Sequence, residues 1–225
     1  MLKLDNVKCI IWDLDGTLID SFKAFKKVTA EIFVELNLPL PDDETFLKNY
    51  HGSLERTIEA LTGLDDDLLH DKLLDMFLLK QVDYYDKNDA GFFSDALELA
   101  RQAGQKGLKQ FVLTNRDHNG RHSASPRSII ARSVIAEYIH DIHCGDEVEF
   151  RKPDVRSLGT WLDQHGLSAE QVLIVGDQFV DAKLADNLGC RAVLAQRSEP
   201  IPHLEEFAGN PSLFIVKSLD QIELD

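Results

Sequence analysis

The stretch Cys9-Ile10-Ile11-Trp12-Asp13-Leu14-Asp15-Gly16-Thr17-Leu18 decides the fold. An apolar run typical of a buried strand stops at two aspartates, and a glycine follows them. Side chains at i and i+2 of an extended chain share a face, so we expect Asp13 and Asp15 to lie close together. Open α/β sheets bind their ligands at the carboxyl ends of their strands, which is where this pair would lie.

Two adjacent carboxylates repel each other, and a divalent cation such as Mg2+, which prefers oxygen ligands, would offset that repulsion. Gly16 lets the backbone approach a ligand closely, and a turn at this point can direct several N–H groups at an anion. The alternative is an ordinary acidic junction between a strand and a turn, where Asp and Gly are common.

Composition restricts the class of protein. The 225 residues suffice for one large domain or for a core with a small insert, and 44% hydrophobic with 28% charged residues is ordinary for a globular chain. A net charge of −15 argues against binding nucleic acid or an anionic membrane. The three cysteines form no Cys-x-x-Cys pair, which indicates neither a disulfide framework nor a zinc site. Without a long apolar segment, the chain is predicted to be cytoplasmic.

Short apolar runs without alternation recur along the chain, and such runs are typical of parallel strands covered on both faces. The predicted strands are 7–12, 110–114, 139–143, 172–175, 192–195 and 213–216. Helical patterns lie between them, and the predicted helices are 93–105, 127–138, 154–165 and 181–188. This alternation predicts an α/β fold, with a Rossmann-like three-layer core around a parallel sheet.

The segment 20–88 shows helical periodicity and no strand pattern. Its apolar residues recur at spacings of three or four, as at Phe22, Phe25 and Val28. We therefore predict a small helical bundle inserted after the first strand. The predicted domains are an α/β core of 1–19 and 89–225 and an inserted α-helical domain of 20–88.

Further polar residues follow the predicted strands. Thr114-Asn115 follows an apolar run, and a hydroxyl and an amide there suit a phosphate oxygen, although a polar strand end is the alternative. Lys152-Pro153 comes later, and proline fits the first turn of a helix while the lysine reaches back toward the same edge. The alternative for Lys152 is a solvated side chain.

The last such pattern is Gly176-Asp177, which follows Leu173-Ile174-Val175, with Asp181 four residues after Asp177. A carboxylate at a strand end is well placed to complete a metal site, and Asp181 would lie near it in the first helical turn. The alternative for Asp181 is an acidic residue that stabilises a helix N-terminus through the dipole.

Taken in order, these four patterns closely resemble the motifs of the haloacid dehalogenase-like hydrolase superfamily. They span residues 13–181, and the stretch 13–21 is most similar to the phosphoglycolate-phosphatase-like branch. In that branch a helical cap is inserted after the first motif, so the resemblance implies that 20–88 is a cap and that the α/β core is catalytic.

The resemblance implies a two-step phosphoryl transfer. Asp13 would be the nucleophile that forms an aspartyl-phosphate. Asp15 would protonate the leaving oxygen and then deprotonate the attacking water. The implied Mg2+ ligands are the carboxylates of Asp13 and Asp177 and the backbone carbonyl of Asp15, and Asp181 would orient that set directly or through water.

The phosphoryl group would be bound by side chains and by main-chain N–H groups near Asp15 and Asn115. The predicted phosphate-binding residues are Gly16, Thr114, Asn115 and Lys152. Similar dehalogenases and phosphonatases lack the second aspartate of the first motif, so Asp15 favours phosphate-ester chemistry.

The sequence thus predicts a Mg2+-dependent phosphatase, monomeric or homodimeric, that acts on a small phosphorylated metabolite. A phosphomutase of the β-phosphoglucomutase type shares every core motif and remains an alternative. A non-catalytic module that binds a phosphorylated ligand on the same fold is another. The chemically intact set of Asp13, Asp15, Thr114, Lys152 and Asp177 favours catalysis.

Two segments are candidates for substrate selection. The first segment lies in the predicted cap, where His51 and Arg56 are the candidate residues. The alternative is that they lie in a solvated surface loop. The loop 116–127 is basic within an acidic chain, and Arg116, Arg121 and Arg127 are predicted to bind a second anionic group of the substrate. A solvated basic loop is the alternative here too.

Overall fold

The structure is a computed structural model that describes residues 1–49, 54–63, 67–87, 91–118, 123–197 and 201–225. Within these ranges, the side chains of residues 47, 54–56, 58 and 67–71 are not part of the description. The chain divides into two compact units, one of Met1–Asp20 with Ala90–Asp225 and one of Ser21–Asp89. Both boundaries lie one residue later than the sequence predicted.

The first unit is an α/β unit that contains all the described strands. The strands are β1 (Leu2–Leu4), β2 (Cys9–Trp12), β3 (Lys109–Leu113), β4 (Asp141–His143), β5 (Val172–Gly176), β6 (Arg191–Ala195), β7 (Leu213–Val216) and β8 (Ile222–Leu224). The helices of both units are α1 (Ser21–Glu35), α2 (Asp43–Lys48), α3 (Leu54–Thr62), α4 (Asp67–Lys87), α5 (Ser94–Gln105), α6 (Pro126–Ala131), α7 (Trp161–His165) and α8 (Phe179–Leu188).

Six strands form one parallel sheet in the order β4-β3-β2-β5-β6-β7. The predicted α/β fold with a parallel sheet is therefore confirmed. All four residues of β2 are buried, which explains why this central strand reads as a continuous apolar run.

Helices cover the two faces of the sheet. Cys9 and Ile11 of β2 pack in one cluster with Trp161 of α7 and Leu184 of α8. On the opposite face the buried Gln110 donates from Nε2 to the Ala100 carbonyl of α5 at 2.9 Å. Its Oε1 accepts from Trp12 Nε1 at 2.9 Å, so this buried amide is satisfied by the strand and the helix that it joins.

Some predicted elements differ from the structure. The predicted helix 154–165 is divided into a 3-10 turn at Val155–Leu158 and the short α7, because Gly159 between them has a positive φ of 58°. Pro153 lies before this turn, after a cis Lys152–Pro153 peptide bond, and not in the first turn of a helix. The predicted helix 127–138 ends early, since α6 stops at Ala131.

The prediction from the sequence did not include β1 and β8, which pair in parallel as a separate two-stranded sheet. Each has only three residues, too few for a periodic pattern to stand out.

All the described regular elements of the second unit are helices, as the spacing predicts. Its core is formed by apolar residues of α1, α2 and α4. The buried members are Phe25, Val28, Ile32, Phe46, Leu73 and Phe77. Across the described residues of both units, no helix is both long enough and apolar enough to cross a membrane.

Candidate active site

The carboxyl ends of three adjacent strands bring the main candidate residues to one edge of the sheet. Trp12 of β2 is paired with Val112 of β3 on one side and with Val175 of β5 on the other. Asp13 follows directly, and its N–H donates to the Val175 carbonyl at 2.8 Å, so the ladder continues to this aspartate. Because the strands are parallel and in register, the residues after β3 and β5 lie at the same edge.

Lys152 joins two buried carboxylates at this edge. Its Nζ lies 2.5 Å from Asp13 Oδ1 and 2.8 Å from Asp181 Oδ1. The side chain of Lys152 is only 4% exposed, that of Asp13 7% and that of Asp181 1%. Short charge-assisted hydrogen bonds of this kind fix the ammonium group firmly. The lysine therefore reaches back to the carboxyl end of β2.

Asn115 uses its side chain to hold the backbone of Lys152. Its Oδ1 accepts from the Lys152 N–H at 3.0 Å, and its Nδ2 donates to the Lys152 carbonyl at 3.2 Å. The side chain of Asn115 thus positions the lysine. This corrects the role that we expected for the amide, and a phosphate contact by Asn115 is left to its main-chain N–H.

Thr17 is a member of the site to which the sequence reasoning gave no role. Its Oγ1 lies 3.2 Å from Asp177 Oδ1 and 3.4 Å from Asp13 Oδ2, and the residue is completely buried. A hydroxyl has a single proton, so Thr17 donates to one of these carboxylates at a time. The available signal was its position two residues after Asp15, in the turn that follows the aspartate pair.

Gly16 allows the chain to pass close to Asp177. It has a φ of +82°, and a Cβ at this position would lie 2.1 Å from Asp177 Oδ2. Its N–H donates to the Ile19 carbonyl at 2.9 Å, within the same turn. A side chain at position 16 would clash with Asp177 and would strain the backbone at this positive φ, so the position requires glycine. A direct phosphate contact by Gly16 stays a prediction.

Replacing Gly16 with Ala is expected to destabilise the protein by about 1–3 kcal/mol and to raise the Mg2+ concentration needed for activity. The new methyl group would displace the Asp177 carboxylate as well as strain the backbone. Gly107→Ala is the matched control, because Gly107 has a φ of +76° and a Cβ added there would meet nothing within 4 Å. Thermal melts and Mg2+ titrations of both variants test this, and equal Mg2+ dependence would contradict it.

Electrostatics of the site indicate a deficit of positive charge. Burial raises the pKa of Asp13 to about 7, with Asp181 and Asp15 adding to the shift and Lys152 opposing it. Desolvation also raises the pKa of Asp177 well above its ordinary value, and Asp13 and Asp181 add to it. Burial acts to lower the pKa of Lys152, but the two carboxylates outweigh it and hold that pKa above its usual range.

The residues present fit a divalent cation. Asp13, Asp177 and Asp181 each offer a carboxylate oxygen, and these atoms lie within 4.8 Å of one another. Three carboxylates against one ammonium leave two negative charges to balance, and an all-oxygen donor set suits Mg2+. Both oxygens of Asp181 already accept hydrogen bonds, from Lys152 and from the Gln178 N–H at 3.1 Å. A carboxylate has further acceptor positions, so Asp13, Asp177 and Asp181 all stay candidate ligands, and a metal contact of Asp15 stays a prediction.

Arg116 pairs with Asp15, the predicted acid and base. Its Nη2 donates to Asp15 Oδ1, and the two side chains are 19% and 22% exposed. The Arg116 N–H donates to Thr114 Oγ1 at 3.0 Å, which turns the chain back toward the site directly after β3. One arginine of the basic loop therefore lies at the predicted catalytic residues.

Arg127 has a different role from the one that the sequence predicts. It donates to Glu147 at 3.0 and 2.8 Å and to the Ile142 carbonyl at 2.6 Å. The structure corrects the expectation that Arg127 binds substrate, because its guanidinium ties α6 to the strand β4 and to the loop after it. His51 and Arg121 lie outside the described residues, and so does the side chain of Arg56.

Comparison with known proteins gives the family. A family model described as haloacid dehalogenase-like hydrolase matches residues 10–195, a range that includes Asp13, Lys152 and Asp181. The chain belongs to the haloacid dehalogenase-like hydrolases. This confirms the resemblance that the four motifs carry.

Relatives of this hydrolase match it over most of its length. A phosphoglycolate phosphatase of Vibrio parahaemolyticus is 25% identical and covers 96% of this chain and 95% of its own. A phosphoglycolate phosphatase of Rhodospirillum rubrum is 28% identical over 89% of this chain and 86% of its own.

Solved structures show the same fold for this hydrolase. A HAD-superfamily hydrolase of subfamily IA from Geobacter sulfurreducens superposes with a TM-score of 0.73 at 18% identity, covering 96% of this chain and 94% of that one. CbbY from Rhodobacter sphaeroides, solved in complex with xylulose-1,5-bisphosphate, gives a TM-score of 0.70 at 17% identity and covers 97% of both chains.

Proposed function

We propose that this hydrolase is a Mg2+-dependent phosphomonoesterase that cleaves a small phosphorylated metabolite through an aspartyl-phosphate on Asp13. The observation that carries the proposal is the buried Asp13 carboxylate, bonded to Lys152 and grouped with Asp177 and Asp181. The relatives named phosphoglycolate phosphatase support the same reaction class.

In the first step, an Asp13 oxygen attacks phosphorus while the bond from phosphorus to the leaving oxygen breaks, and Asp15 gives that oxygen a proton. In the second step, water attacks the phosphorus of the aspartyl-phosphate and Asp15 accepts a proton from the water. Inorganic phosphate leaves and the Asp13 carboxylate is regenerated. Asp15 thus ends the cycle in the protonation state in which it began.

Lys152 and Thr114 are proposed to hold the oxygens of the transferring group, where positive and dipolar groups stabilise the charge that develops. Mg2+ bound by Asp13, Asp177 and the Asp15 carbonyl would supply the positive charge that lets a carboxylate approach an anionic phosphate. Asp181 keeps Lys152 directed at Asp13, since its second oxygen is anchored to the start of α8.

We further propose that the substrate carries a second anionic group, with 2-phosphoglycolate as the first candidate. Asp15 must be free of Arg116 before it can reach a leaving oxygen. A substrate carboxylate offers the guanidinium a bidentate partner and would compete with Asp15 for it. Arg116 would in this way couple recognition of the carboxylate to release of the catalytic acid.

Arg116→Ala is expected to lower kcat/KM for 2-phosphoglycolate by about 10- to 100-fold, the usual value of a charged hydrogen bond. The same change should leave p-nitrophenyl phosphate turnover unchanged or faster, because that ester has no second anion to bind. Arg156→Ala is the matched control, since Arg156 pairs with Asp154 on an exposed surface. An equal loss on both esters for Arg116→Ala would contradict the role.

The function itself is tested with a panel of phosphomonoesters, assayed with and without Mg2+ for both free phosphate and rearranged product. Mg2+-dependent release of free phosphate is expected. An isomer of a sugar phosphate in place of free phosphate would identify a mutase. Binding of phosphorylated ligands without turnover would identify a non-catalytic module and overturn the proposal.

A further inference from the structure

A second group of metal-binding side chains lies outside the catalytic carboxylates. His118, Cys144 and Glu147 each offer one ligand atom, and these atoms lie within 4.8 Å of one another. None of the three has a role in the proposed phosphoryl transfer. We propose that these side chains bind one Zn2+ ion, at a site separate from the Mg2+ site.

The two loops that carry these residues are already packed together. His118 lies in the loop after β3 and Cys144 directly follows β4, and these strands are paired. The His118 N–H donates to Asp146 Oδ1 at 2.5 Å, and the Gly145 N–H donates to the Arg116 carbonyl at 2.8 Å. Hydrogen bonds between the loops thus hold the three candidate ligands close together without help from an ion.

Gly145 makes this close packing possible. A Cβ at this position would lie 2.4 Å from the Asn115 carbonyl oxygen and 2.7 Å from Asp117 Oδ1. The loop that carries Cys144 can therefore approach the loop that carries His118 only with glycine at this point.

Glu147 is oriented for ligation by its neighbours. Both of its oxygens accept from Arg127, at 3.0 and 2.8 Å, and Oε2 also accepts from the Cys144 N–H at 3.3 Å. A carboxylate has about four acceptor positions, and the fourth accepts from the Cys144 thiol, so it becomes available to a metal ion when that thiol loses its proton. Hydrogen-bonded carboxylates of this kind are the usual support around a metal ligand. The Arg127–Glu147 pair, which has no place in the catalytic cycle, is explained as the support of this site.

His118 supplies the observation that points most directly to a ligand. Its Nδ1 is buried, and no described residue forms a hydrogen bond with it. Ligation of an ion through Nδ1 would remove the free-energy cost of a buried imidazole nitrogen that no described residue contacts. Cys144 is completely buried beside it.

The donor set selects the ion. Imidazole nitrogen with thiolate sulfur favours Zn2+ over Mg2+, which prefers oxygen donors. Zinc with bonds of about 2.0–2.3 Å places its ligands roughly 3.3–3.8 Å apart, so side-chain rotation must draw the three atoms slightly closer. Binding replaces the thiol proton, giving a Cys144 thiolate on Zn2+ and one proton in solution. Cysteine spacing gave no signal, because the ligands come from two loops and only one is a cysteine.

The test is a Co2+ titration of the reduced, metal-stripped full-length protein in excess Mg2+, which occupies the carboxylate site. Co2+ reports thiolate ligation by a charge-transfer band in the near ultraviolet. We expect a band that saturates at one Co2+ per chain, disappears on addition of Zn2+ and is absent from Cys144→Ser. Cys190→Ser is the matched control and should keep the band, because Cys190 is also buried but lies outside the cluster.

A second variant keeps the test valid if Cys144→Ser fails to fold. His118→Ala changes a half-buried loop residue and should weaken Co2+ binding by about tenfold or more while circular dichroism is unchanged. No band in the wild-type protein, a band that survives Cys144→Ser, or unaltered affinity in His118→Ala would each overturn the proposal.

Discussion

Asp13→Asn is expected to lower kcat for phosphomonoester hydrolysis by roughly 10⁴-fold or more, the scale seen when a nucleophile is removed. The amide cannot attack phosphorus, and the shape and burial of the side chain are kept. Phosphate release measured on the best ester of the panel, with Mg2+ present, is the readout. A residual rate within tenfold of the wild-type rate would contradict the role of Asp13 as nucleophile.

The stability of the same variant separates lost chemistry from lost folding. The Asp13 pKa rises from 3.8 to about 7 on folding, so the folded protein holds more protons between these values. The titration of Asp13 should therefore remove stability from the metal-free wild-type protein as the pH rises from about 4 to about 7. Asn has no such titration, so Asp13→Asn should melt at least as high as the wild type at about pH 8. A lower melting temperature there would contradict this interpretation of the charge deficit.

The sequence predicted the fold best where the apolar pattern of a strand and the register of its neighbours determine the same residues. A parallel strand buried on both faces must be apolar throughout, so β2 and β5 could be read directly from Cys9–Trp12 and from the run at Val172. Asp13 and Asp177 then lie at the same edge of the sheet, because they follow neighbouring parallel strands that are paired in register. Topology alone therefore predicts that the candidate carboxylates lie at one edge of the sheet, without any detail of the side chains.

Side-chain partners far apart in sequence could not be predicted. Arg116 and Arg127 both lie in the basic stretch 116–127 of the sequence. In the structure, Arg116 pairs with Asp15, 101 positions away, while Arg127 lies in the first turn of α6 and pairs with Glu147. Asn115 was expected to face an anion and instead positions Lys152. The sequence shows which positions carry a charged or polar side chain, but the partner of each side chain depends on how the loops pack in the folded protein.

Lys152→Met is expected to destabilise metal-free protein at neutral pH by about 3–5 kcal/mol, the usual cost of removing one partner from a buried ion pair. It leaves Asp13 and Asp181 buried without the ammonium that contacts both. It should also lower kcat by about 10²- to 10³-fold, because a donor to the transferring group is lost. Denaturant unfolding without Mg2+ and phosphate release with Mg2+ measure the two effects. Lys183→Met is the control, since Lys183 is a partly exposed lysine of α8 that pairs with Asp186.

The sign of the pH dependence and a double variant identify the cause of this loss. Lys152 lowers the pKa of Asp13, so its removal raises that pKa further, and the variant should recover stability as the pH falls and Asp13 is protonated. Asp13→Asn should stabilise Lys152→Met by more than it stabilises the wild type, because in the Lys152→Met background it removes an uncompensated buried charge. If the double variant shows only the sum of the two single effects, Lys152 and Asp13 are not energetically coupled. Lys152 would then stabilise the fold by packing of its aliphatic chain and not by neutralising the nucleophile.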